Sequence, residues 1–279
     1  MRIDNYRGRE DETLPVGPDG QIQIPTLPTF DSSTLLGVDL SHYQGDVDFV
    51  KLKAAGCAFV FIKATEGTTI VDAKFASYRA GAKGVKMPAG HYHFFRPKAD
   101  LQGQIDAFCN AVGSLQPGDL PPVLDVESPA DWTGFTIVQR VAMVLGWLQG
   151  VEARLGVKPI IYINNPMCRD VLGSPAAFKD YMLWVAHYTS NAAPSIPLPW
   201  TAFTFWQYSE RGTIAGVTGE VDLNRFAGTL ADLQRLRKPG FAIDEGPAKS
   251  ATPEPCPLSG FCFRLRDLLK RWLRLIFGR

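Results

Sequence analysis

The sequence predicts an α/β fold, an irregular TIM-like (β/α)5(β)3 barrel, and three observations carry that prediction. From about residue 35, short apolar runs of β type alternate with segments of helical period, the pattern of βα units around a parallel sheet. Eight such runs are present, enough to close a barrel whose interior is filled by side chains. The last three follow one another with little helical sequence between them. The final third of the barrel is therefore expected to be short of helices.

Taken in order, the first strand LLGVDLSHY precedes the helical DFVKLKAAG, and the second, AFVFIKATEG, precedes DAKFASYRAGAKG. The third strand, AGHYHFF, leads to a helix over roughly 100–115, and the fourth, PPVLDVE, to a long helix from about Thr136 to Leu155. PIIYINN is the fifth. After Tyr181 come YMLWVAHY, AFTFWQYSE and GEVDLNRF. These elements place the barrel domain at 35–236.

Three segments lie outside it. Residues 1–34 are polar and rich in Pro, Gly, Asp and Thr without a sustained period, so an extended N-terminal arm is expected. Residues 237–260 read as a linker. In 261–279, Leu265, Leu268, Leu269, Trp272 and Ile276 recur at helical spacing, with Arg266, Lys270, Arg271 and Arg274 on the other face. This is the pattern of a cationic C-terminal amphipathic helix. Its six cations and one acid give it +5, so the rest of the chain carries −4. Such a helix either docks on its own barrel or lies on an anionic lipid surface. The linker ahead of it favours the second.

The chain has 279 residues, 46% of them hydrophobic, enough for one full core. A net charge of +1 excludes a global attraction to nucleic acid. The opening MRIDNYRGREDETLPVGPDG holds no apolar stretch for a signal peptide, and no run reaches transmembrane length. A monomer made in the cytoplasm is the expectation. The five cysteines, Cys57, Cys109, Cys168, Cys256 and Cys262, lack the spacing of a zinc site. They are expected to be mostly reduced, the first three buried. Cys256 and Cys262 are close enough in sequence to pair in an oxidising compartment, though spacing alone does not establish the geometry.

Chemistry is sought at the C-terminal ends of the strands, where barrel active sites form. Asp39 stands in GVDLS, Glu66 in KATEG, Asp125 and Glu127 in PPVLDVES, and Asp222 in EVDLN. One carboxylate at a strand end ordinarily caps a helix or ties down a loop, and Glu66 keeps that reading. Several acids converging on one mouth are costly in mutual repulsion unless the site uses the charge. Asp125 and Glu127 are two residues apart, so on a strand they share a face with backbones roughly 6.6 Å apart. Paired carboxylates suit glycoside hydrolysis, where one donates a proton to the leaving oxygen and another, ionised, stabilises an oxocarbenium-like centre.

The same strand ends carry Tyr92, His93, Tyr162, Trp184, Tyr188 and Trp206, besides His91, Phe94 and Tyr208. About half are expected in the core, the others in a sugar-stacking wall. The four histidines form no tight ligand set, and GxGxxG, Walker and GxSxG motifs are absent. No metal or other cofactor is expected.

These motifs resemble the family 25 glycoside hydrolases, the lysozymes of bacteria, phages and some fungi. The resemblance spans 35–236 and rests on GVDLSHYQG, KATEG, AGHYHFF, LDVE, IIYIN, WVAHY, WQYS and VDLNRF in that order. It implies cleavage of the β-1,4 bond between N-acetylmuramic acid and N-acetylglucosamine in bacterial peptidoglycan. It further implies Glu127 as general acid/base, Asp125 as its acidic partner, Asp39 and Asp222 completing the acids, and Gln207 of WQYS among the substrate-binding residues. Either the substrate's N-acetyl group or a carboxylate-activated nucleophile attacks; the first is favoured, and sequence spacing does not choose. Two settings fit the absence of a signal sequence: a phage or prophage endolysin, or an exported antibacterial effector. A catalytically silent glycan-binding module and killing by the tail alone are the readings of other classes. The intact Asp39, Asp125, Glu127 and Asp222 weigh against the silent module.

Overall fold

The computed structural model describes residues 34–238. The expected arm, linker, amphipathic helix and Cys256–Cys262 pair lie outside the described residues.

The strands are β1 (Leu35–Leu40), β2 (Phe59–Glu66), β3 (Ile70–Val71), β4 (Ala89–Phe94), β5 (Val123–Asp125), β6 (Ile160–Asn164), β7 (Met182–Ala186), β8 (Phe205–Gly212) and β9 (Val221–Phe226). The helices are α1 (Phe49–Ala54), α2 (Phe75–Gly84), α3 (Leu101–Val112), α4 (Ile137–Leu155) and α5 (Leu230–Leu236). Strands pair in the order β1-β2-β4-β5-β6-β7-β8-β9, and β9 returns to β1, closing an eight-stranded barrel. Pairing is parallel from β1 through to β8, whereas β9 runs antiparallel to both of its neighbours. The two-residue β3 is a short hairpin return on β2.

Helix boundaries follow local chemistry. Thr136 and Gln139 form a capping box at the start of α4, and Gly156 ends it in the left-handed conformation at φ 72°. Asp48 and Asp100 cap α1 and α3 by accepting from the Lys51 and Gly103 amides. The fifth unit departs from the expected pattern. Its connection contains only a π-helical turn at Met167–Val171 and a 3-10 turn at Ala176–Asp180. Gly173 and Pro175, adjoining these turns, interrupt any longer helix.

Two packed layers result. Inward-facing Phe59, Phe61, Val123, Ile160, Trp184, Phe205 and Phe226 fill the barrel. The alternating outward residues, among them Val60, Ile62, Leu124, Val126, Ile161 and Ile163, meet Phe108, Trp147, Leu148 and Val151 of the helices. Burial stabilises each large apolar side chain by about 1.5–3 kcal/mol. Gly37 and Gly90 make the inner layer possible. A Cβ on either would lie 2.3 Å from the ring of Phe59 or Phe61, respectively. The rings occupy space that those glycines leave, and Phe61 then stacks on Trp184 at 4.2 Å between centroids. Cys57, Cys109 and Cys168 are buried free thiols, as expected. Burial raises the Cys57 and Cys168 pKa values to about 12 and about 11, keeping both protonated.

Candidate active site

A cavity at the C-terminal ends of the parallel strands is lined by Asp39, Tyr92, Asp125, Glu127, Tyr162, Trp184 and Gln207. Each arrives by strand alternation. On β5, Val123 faces the interior and Leu124 faces the helices, so Asp125 faces inward. The next outward residue is Val126, and Glu127 turns back to the cavity. The ladder continues past β5 through Val126 N–H to Tyr162 O at 3.0 Å, which holds Glu127 in strand phase. Ser128 then reverses the chain with φ 60°. The two acids are 5% and 7% exposed.

Asp39 ends the inward face of β1. Its Oδ2 accepts from Gln207 Nε2 and Asn224 Nδ2, both at 2.8 Å. The network extends on both sides. Gln207 Oε1 accepts from the hydroxyls of Tyr162 at 2.8 Å and Tyr188 at 2.7 Å, and Asn224 Oδ1 accepts from Trp184 Nε1 at 2.8 Å. Four strands thus fix one carboxylate, and the bonds orient both amides. Asp222 stands directly opposite Asp39 in the antiparallel β1–β9 pair, on the same face, and is buried. It does not line the cavity itself.

The structure removes two residues from the expected sugar wall. His93 lies on the outward face of β4, buried between sheet and helices. It hydrogen-bonds Thr65 Oγ1 at 2.8 Å and Gln104 Oε1 at 3.1 Å and stacks on Trp147. Burial pushes its pKa down to about 4, so it is neutral at pH 7. Trp206 packs in the outer layer, its Nε1 donating to His187 O at 2.8 Å. Both are one residue out of phase with the cavity, beside inward Tyr92 and Gln207. Tyr92, Tyr162, Trp184 and Gln207 line the cavity, and Tyr188 reaches them through its hydroxyl on Gln207.

Asn224 was not among the expected site residues. The signal was its place two residues after Asp222 in VDLN, hence on the same strand face. An ion network on the rim was also missed. Lys63 Nζ lies 2.7 Å from Glu66 Oε2, Arg96 Nη2 2.6 Å from Glu66 Oε1, and Arg96 Nη1 2.6 Å from Asp131 Oδ2. Burial opposes ionisation of Glu66, but Lys63 and Arg96 hold its pKa below the ordinary value. Glu66 therefore ties the end of β2 to the turn after Glu127. Trp132 Nε1 secures that turn from inside by donating to Glu127 O at 3.0 Å. Among the described residues, no group of three or more His, Cys, Asp or Glu is arranged to hold a metal ion.

An inward acid pair, an amide-tethered third carboxylate and an aromatic wall form a concave site able to protonate a leaving oxygen and stabilise positive charge on a pyranose ring. The family model for glycosyl hydrolases family 25 matches residues 38–217. Lysozyme M1 of Streptomyces globisporus is 35% identical over 237 residues, covering 82% of this chain and 78% of that protein. The N,O-diacetylmuramidase of Chalaropsis sp. is 34% identical, covering 68% and 96%. The crystal structure of the bacterial lysozyme from Streptomyces coelicolor superposes with a TM-score of 0.71 at 34% identity, covering 74% of this chain and 98% of that one. By its barrel, its site and these relatives, the chain belongs to the glycosyl hydrolases of family 25.

Proposed function

We propose that this chain is a muramidase hydrolysing the β-1,4 bond between N-acetylmuramic acid and N-acetylglucosamine in bacterial peptidoglycan. One observation carries the reading: Asp125 and Glu127 open together onto a cavity that also holds Asp39 and a Tyr/Trp wall. In this reading protonated Glu127 donates to the glycosidic oxygen as the C1–O bond breaks. The carbonyl oxygen of the muramic acid N-acetyl group bonds to C1, while ionised Asp125 orients that group and stabilises its charge. Water then attacks C1, returning its proton to Glu127 and releasing the acetamido group. Asp39 and Asp222 complete the negative field, and Tyr92, Tyr162, Trp184, Tyr188 and Gln207 hold the sugars.

The proposed setting is wall lysis outside the cytoplasm by an endolysin-like enzyme. The basic amphipathic pattern at 261–279 supports an anionic lipid partner.

The test is mass spectrometry of soluble products from purified peptidoglycan, with borohydride reduction of the new sugar ends. Fragments ending in reduced N-acetylmuramic acid are expected. Ends at N-acetylglucosamine overturn the bond assignment, and intact glycan overturns hydrolysis in favour of binding or membrane activity alone.

A further inference from the structure

Outside the cavity, the segment after β1 holds one large aromatic ring in water by an unusual amount of bracing. Tyr43 is 65% exposed, four residues beyond Asp39. Its neighbour His42 is held twice by the buried Asp72 Oδ2, through its amide at 3.1 Å and through Nδ1 at 2.7 Å. Tyr78 OH donates to Gly45 O at 2.7 Å and lies 3.3 Å from Ser41 O, standing between both ends of the segment. Gln44 Oε1 accepts from Ser41 N–H at 2.9 Å. The Tyr43 ring rests against the His42 ring with centroids 4.1 Å apart.

We infer that Tyr43 is a stacking platform for a sugar of the same glycan strand that lies beyond the catalytic cavity. The inference rests on the muramidase reading. A pre-ordered backbone and a ring with only two free torsions lose little entropy when a ligand is bound. One exposed face, edged by the polar His42, suits a pyranose, which offers an apolar C–H face rimmed by hydroxyls. Position supplies the occupant. β1 carries Asp39 into the cavity and ends at Leu40, so Tyr43, three residues further on, stands at the C-terminal end of the barrel, the end on which the cavity opens; a glycan seated at the acids and continuing over β1 is placed to meet this ring. Asp72, which pins His42, directly follows the exposed Val71 and brings the β3 hairpin to the same side.

The experiment compares Tyr43→Ala, Tyr43→Trp and the parent chain on three substrates: long peptide-free glycan strands, intact sacculi, and a tetrasaccharide of two disaccharide units. Tyr43→Ala is expected to raise KM on long strands and sacculi by about three- to tenfold, with kcat little changed. On the tetrasaccharide its KM stays near the parent value, and Tyr43→Trp restores long-strand affinity. An equal KM for Tyr43→Ala and parent on long strands overturns the platform. So does equal impairment on all three substrates, which marks a structural defect, or an effect confined to sacculi, which assigns the ring to the stem peptide. A parent chain that cleaves none of the three overturns the muramidase reading itself, and the inference with it.

Discussion

Tyr92 and His93 are adjacent on β4 and belong to different environments. Tyr92 faces the barrel cavity with the acids, and His93 faces the helices, stacked on Trp147 and bonded to Thr65 and Gln104. The same division runs around the barrel. Gln207 and Asn224 point inward to Asp39, whereas their neighbours Trp206 and Leu223 pack outward. At the mouth of the barrel, the polar residues of the site and the residues packed against the helices therefore occupy opposite faces of the same strands. Substitution among the cavity-lining residues is expected to cost rate, and among the residues packed against the helices to cost stability.

The largest expected effect is on the inner face. Glu127→Gln keeps the size of the side chain but removes its titrating proton, and kcat is expected to fall about 10³- to 10⁴-fold. Thermal denaturation checks the other half of the statement, since Tm should stay within a few degrees of the parent. A variant retaining near-parent turnover would break the assignment of Glu127.

On the outer face the pattern reverses. Trp147 is fully buried against His93 and Phe108, and Trp147→Ala is expected to destabilise the fold by about 3–5 kcal/mol. Denaturant titration measures that loss, while turnover per folded molecule at low temperature should remain near the parent value. A still smaller effect sharpens the comparison through pH. An unfolded histidine has a pKa near 6.5, but burial holds folded His93 at about 4. The unfolded chain thus takes up a proton that the folded chain refuses as pH falls between those values. The resulting stabilisation is complete above about pH 6.5 and is lost on acidification towards pH 4, up to about 3 kcal/mol. His91, also pushed down by burial, acts in the same direction. Tm measured at pH 7 and pH 5 should fall less in His93→Gln than in the parent.

The same two-faced arrangement explains what the sequence discloses. Asp125 and Glu127 are readable as a pair because strand period alone places them together. The closing of eight strands with few late helices is readable from the spacing of apolar runs, and the long helix expected from about Thr136 to Leu155 is α4 at Ile137–Leu155. His93 and Trp206 were misplaced because an aromatic at a strand end reads alike whichever face it occupies. Phase is decided by tertiary neighbours, here the Phe61 ring over Gly90, which marks the inward positions of β4 as 90, 92 and 94. Glu66 at the end of β2, Arg96 just past β4 and Asp131 in the 3-10 turn at Pro129–Trp132 meet from three separate segments, a convergence that no local pattern encodes.

The aromatic packing beneath the acids has a consequence for traffic. Phe59, Phe61, Phe205 and Trp184 fill the barrel below the cavity, so among the described residues no passage runs from the site down through the barrel. A polymer cannot be threaded through such a site from one side to the other. It must be laid across the entrance, cut there, and let go by the route it came, with both new ends free to diffuse away.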